Sequence, residues 1–185
     1  MKGEIFFKLR VISVIFVLGA TCMTSRLLFI FFTLTVSTAF GQLNPDKDRQ
    51  VVLRHNKVGK TYVFDRSKKN GYNRTEITYL GKLKTKDGRV FKILISRWYW
   101  GLAPRATSRI VVFNNKNQYL GNYYVGMTYD VPDKIQNNAL VFDNKNREDC
   151  DPNIVTRVSF TNVLPKQFFL ECKNKMGDIY TFSDE

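Results

Sequence analysis

Two strand-like runs, Glu76–Lys86 and Arg89–Tyr99, flank the dipeptide Asp87-Gly88. No other feature constrains the fold as much. Asp-Gly suits the two positive-φ positions of a type I′ turn, so the runs are expected to close as an antiparallel hairpin with Lys86 opposite Arg89. Side chains alternate along a strand. Phe91, Ile93 and Ile95 then share one face, and Val90, Leu94 and Trp98 the other. Apolar residues on both faces mark a hairpin covered on both sides, near the centre of its domain.

Further strand-like runs follow the same period: Lys60–Asp65, Ser108–Asn114, Gln118–Gly126, Ala139–Asp143, Ile154–Phe160, Gln167–Cys172 and Asp178–Ser183. Short strands separated by polar turns such as Asn115-Lys116-Asn117 predict an all-β domain, a single antiparallel sandwich or small barrel of about nine strands. It would occupy residues 59–185. Residues 42–58 read as a loose N-terminal segment with a short strand at Val51–Leu53, and Tyr129–Asn137 as a crossover holding one helical turn. Val112–Asn117 (VFNNKN) echoes Val141–Asn146 (VFDNKN). Two copies do not make a repeat architecture; the same turn solved twice explains them.

The first 41 residues differ in kind. The run Leu27–Gly41 is apolar over 15 residues, follows Arg26, and ends with Ala39 and Gly41 where a signal peptidase reads. A membrane-spanning helix needs about 20 apolar residues, a signal-peptide core about 7–15. Residues 23–41 are therefore expected to be a signal peptide cleaved between Gly41 and Gln42. On this reading Met23 suffices as a start, and residues 1–22 are an over-extended N-terminus or an extra apolar segment. A lipid-modified Cys22 fits poorly with the residues before it. The expected address is periplasmic, cell-surface or secreted. The alternative is a membrane-anchored structural protein that retains residues 5–41.

Export leaves two cysteines, Cys150 and Cys172, and an even count outside the cytoplasm reads as a disulfide. Ile154–Phe160 and Gln167–Cys172 are expected to pair as a hairpin with Val155 facing Cys172, and the Asp151-Pro152-Asn153 turn folds Cys150 back within reach. A redox pair would be more closely spaced, and a zinc site would want more histidine than His55.

Charge is uneven. Residues 42–116 hold 18 Lys and Arg against 5 Asp and Glu; residues 117–185 hold 7 against 10. A basic half invites a polyanion. For an exported chain that means an acidic polysaccharide or lipid headgroup of the envelope; an envelope protein is the other partner considered, nucleic acid is not expected, and a membrane enters only if the N-terminus is retained. The segment with most chemical content runs from Arg97 to Arg105 and sets Trp98, Tyr99 and Trp100 between two arginines. At least one of these rings should face away from the core, where it can stack on a sugar while Arg97 or Arg105 pairs an anion.

No catalytic set, cofactor motif or metal motif stands out. His55 lies in the loose segment with nothing to orient it. The Glu148-Asp149-Cys150-Asp151 cluster lacks the alternation of a calcium loop. Asn73-Arg74-Thr75 matches a glycosylation acceptor, a triplet common by chance. The expectation is a non-catalytic binding or interaction module. The enzymatic alternative, a glycan or cell-wall hydrolase, requires a carboxylate pair beside Trp98 or Trp100.

Overall fold

The computed structural model describes residues 45–184. The expectations for residues 1–44, including the signal peptide, its cleavage point and the retained anchor, lie outside the described residues.

Among the described residues, ten antiparallel strands build two open sheets, with one short helix. The large sheet begins as a meander of β1 (Thr61–Asp65), β2 (Tyr72–Lys84), β3 (Val90–Gly101), β4 (Arg105–Asn114) and β5 (Tyr119–Gly126). The chain then leaves to form a small sheet from β6 (Lys134–Gln136), β7 (Ala139–Asp143) and β8 (Val155–Ser159). It returns as β9 (Gln167–Lys173) and β10 (Met176–Ser183), giving the order β1-β2-β3-β4-β5-β10-β9. The all-β sandwich is as expected, and neither sheet closes into a barrel.

The faces of β3 also follow the alternation. Phe91, Ile93 and Ile95 enter a core that contains Leu140, Phe142 and Val158 of the small sheet and Phe168 and Leu170 of β9. Leu94 enters a second core on the opposite face, with Ile77, Tyr79, Val111 and Phe113. What covers that face is α1 (Pro45–His55), through Val52 and Leu53. This corrects the loose segment and its strand at Val51–Leu53. Helical signals are present: a proline at the first position, Asp46 and Asp48 in the first turn, Arg54 and His55 in the last, and Asn56 just beyond at φ 50°. Asp48 accepts from Arg66 Nη2 at 2.8 Å, and Gln50 donates to the Asn117 carbonyl at 2.7 Å, fixing the helix to both ends of the sheet face.

Three turns differ from expectation. The β2–β3 loop has three residues, Lys86-Asp87-Gly88, closed by Thr85 and Arg89; only Gly88 has positive φ, 87°. Asp-Gly serves this type I turn with a glycine bulge as well as it serves a two-residue turn, so Lys86 does not oppose Arg89. Between β6 and β7, Asn137 and Asn138 both take left-handed conformations (φ 51° and 57°) in a two-residue turn, replacing the expected helical turn. Finally, β8 pairs with β7 and β9 with β10, not with each other. The connection between β8 and β9 crosses from one sheet to the other. Leu164 packs on the core and Tyr123 Oη donates to the Pro165 carbonyl at 2.5 Å.

The echo has a local cause. Asn114 Oδ1 accepts from Lys116 N at 2.8 Å, and Asp143 Oδ1 from Lys145 N at 3.2 Å, so both copies use the same side-chain-capped turn.

Candidate functional site

The Arg97–Arg105 segment lies at the end of β3, the following turn and the start of β4. Pairing sorts its side chains onto two faces. Thr75, Trp98 and Thr107 are aligned across β2, β3 and β4, as are Asn73, Trp100 and Arg105. All of these belong to the helix side of the large sheet, beyond the part that α1 covers. Arg97 and Tyr99 project from the other face.

Trp98 is 41% exposed. Its indole N–H donates to Asn73 Oδ1 at 3.1 Å, and its ring stacks on Trp100 with centroids 5.7 Å apart and planes inclined by 29°. The Arg105 guanidinium lies 5.5 Å from the centre of the Trp100 ring. Two positions along the same face of β4 from Thr107 stands Arg109, 5.2 Å from the Tyr124 ring of β5. Tyr124 is itself 54% exposed. Tyr124 stands opposite Arg109 because a bulge in the β4–β5 pairing, where Tyr119 faces Phe113 and Gly121 faces Val112, sets the register that follows. Guanidinium–ring contacts at these distances are attractive, about 0.5–1 kcal/mol each when exposed.

The face continues toward α1 with two more such pairs, Arg49 over Tyr119 at 5.7 Å and Arg66 over Phe64 at 5.8 Å. These two arginines are engaged: Arg49 pairs with Asp46 at 3.3 Å and Arg66 with Asp48 at 2.8 Å. Burial lowers the Arg49 pKa, and the charge of nearby Arg109 pushes it the same way. The hydrogen bond to Asp48 raises that of Arg66. Arg105 and Arg109 have no ion-pair partner among the described residues.

Acids are nearly missing from this part of the sheet. Glu76 is the only one in β2–β5, and it faces the other way. It binds Arg74 in an ion pair and accepts from Tyr99 Oη at 3.4 Å. Burial, with Glu76 second, raises the Tyr99 pKa. Arg97 also serves structure, donating from Nε to the Thr128 carbonyl at 3.1 Å. The segment therefore divides: Trp98, Trp100 and Arg105 share the open face, while Arg97 and Tyr99 hold together the other one.

Arg109, Arg49 and Arg66 escaped the sequence reading. Arg109 is visible in hindsight, since Arg105, Thr107 and Arg109 alternate to one side of a strand. Arg49 depended on recognising α1.

The expected disulfide is formed, with Cys150 and Cys172 Cα atoms 4.5 Å apart. It joins the loop after β7 to β9. Such bonds persist in oxidising, extracytoplasmic surroundings. Beside it lies a buried charge cluster: Arg147 Nε and Asp130 Oδ1 are 2.9 Å apart, and Tyr180 Oη donates to Asp130 Oδ2 at 2.7 Å. An open cavity of about 430 Å³ adjoins Arg147, Tyr129 and the disulfide. His55 stacks on Tyr62 with centroids 5.2 Å apart. Asn73, from the glycosylation triplet, is held by Trp98 within β2.

Among the described residues no group of three or more His, Cys, Asp or Glu is arranged to hold a metal ion, and no helix is long and apolar enough to cross a membrane. No protein-family model, curated protein or solved structure matches the chain.

Proposed function

We propose that this protein is a non-catalytic binding module that acts outside the cytoplasm and holds a polyanion on the helix side of its large sheet. One observation carries the reading: Arg105 and Arg109, neither ion-paired among the described residues, flank an exposed tryptophan on a strand face that holds no carboxylate from β2–β5. Guanidinium groups in this state retain their capacity for charge-assisted hydrogen bonds to carboxylate, sulfate or phosphate. The disulfide supports the extracytoplasmic address, and the basic N-terminal half supports the sign of the partner.

The test is equilibrium binding to polygalacturonate at low and high salt. Contacts between exposed charges weaken once the Debye length falls below about 10 Å, near 0.1 M salt. The Arg105→Ala/Arg109→Ala variant should bind about tenfold more weakly at low salt, with a flatter salt dependence; an exposed pair contributes up to about 1 kcal/mol. Wild-type affinity in that variant, or affinity indifferent to salt, would sink the proposal.

A further inference from the structure

The face described above also constrains what sort of polyanion it takes. Arg105 and Arg109 are four residues apart on a strand that pairs regularly with β3. At about 3.3 Å per residue their Cα atoms are roughly 13 Å apart. Between them lies an uncharged strip: Thr107, with Trp98 directly opposite it and Thr75 opposite Trp98. Trp98 is oriented from two directions, by the hydrogen bond to Asn73 and by the stack on Trp100, and still leaves much of its surface open.

Two separated cations offer a bare phosphate chain its charge contacts and no use for the flat ring between them. A polymer of acidic sugars uses both, because each unit carries a carboxylate for an arginine and a pyranose ring for the indole. We infer that the ligand is an acidic polysaccharide running along β4, with a pyranose ring against Trp98 and carboxylates at Arg105 and Arg109. This rests on the polyanion reading and goes beyond it by assigning a sugar-stacking role to Trp98.

The molecule carries its own reporter. Trp98 and Trp100 are its only tryptophans, so its intrinsic tryptophan fluorescence arises within this face. Four probes separate the outcomes: polygalacturonate, neutral dextran, inorganic polyphosphate and vesicles of phosphatidylglycerol. The inference expects polygalacturonate to perturb the fluorescence at the lowest concentration and dextran to bind weakly. Trp98→Ala should weaken polygalacturonate binding about tenfold, in line with an aromatic contact. It should leave polyphosphate binding unchanged, and Trp98→Tyr should restore most of the loss. Far-UV circular dichroism and the urea midpoint establish that each variant is folded; should Trp98→Ala fail that check, Trp98→Tyr and the ranking of the four probes still decide.

Polyphosphate or vesicles binding as well as polygalacturonate, or Trp98→Ala affecting all polyanions equally, would overturn the sugar assignment while leaving a polyanion module. Failure of every polyanion to bind at low salt would overturn that reading itself.

Discussion

Replacing both Cys150 and Cys172 by serine tests how far the disulfide determines stability. The cysteines are 22 positions apart, so the bond closes a loop of about 20 residues, and chain entropy assigns such a loop about 3 kcal/mol at 25 °C. Unfolding roughly 140 ordered residues at about 2.1 cal/mol/K each gives an entropy near 0.3 kcal/mol/K, so the midpoint temperature should fall by about 10 °C. The native contacts around the bond do not depend on it. Asn144 Nδ2 donates to the carbonyls of Glu171 at 3.0 Å and Cys172 at 3.2 Å, and Asp151 N donates to the Cys172 carbonyl at 3.0 Å. The double variant should therefore keep the wild-type fold and lose stability mainly through a freer unfolded chain. Urea unfolding of the wild type, the reduced wild type and the variant reads this directly. A loss below about 1 kcal/mol would refute the entropic argument, because the loop would then be equally restricted without the bond.

Two other substitutions probe the cores. Arg147→Met leaves Asp130 buried and without its cation, which should cost about 3–5 kcal/mol at neutral pH in urea unfolding. Burial already holds the Asp130 carboxyl above its ordinary 3.8. Stability linked to its protonation is therefore complete below 3.8 and is lost as pH rises through the folded value, so the penalty should shrink on acidification; a penalty independent of pH would contradict this. Gly121→Ala should destabilise by about 3 kcal/mol or more. Gly121 has φ 145°, and a Cβ there would overlap the Ser183 carbonyl and the Phe182 ring of β10. Hydrogen exchange should show β10 amides losing protection first, and unchanged protection there would count against the close β5–β10 approach.

Local signals in the sequence carry the strand faces, and the choice of strand partners does not show in them. The faces of β3 follow from alternation alone, so Phe91, Ile93 and Ile95 part from Leu94 whatever the turn does. The turn does not follow from Asp87-Gly88, because the dipeptide serves two loop lengths that differ by a residue. Val51-Val52-Leu53 resembles a strand by composition. It is helical because Pro45, the acidic first turn and the basic last turn frame it, and because the sheet offers an apolar face for Val52 and Leu53 to cover.

Pairing is where local sequence stops being informative. Ile154–Phe160 and Gln167–Cys172 have the composition of a hairpin, yet Leu164 and Pro165 are drawn against the core and send the chain to the other sheet. The disulfide forms all the same, across the sheets. The sequence by itself determined the all-β class, the strand faces, the cysteine pair and the uneven charge, because these depend on alternation and composition. Only the tertiary structure decided which strands are neighbours. That choice put Arg105 and Arg109 beside Trp98 and Trp100, and turned Arg97, Tyr99 and Glu76 to the opposite side. A strand's alternation says which of its own residues share a face, and only its neighbours decide what stands beside them.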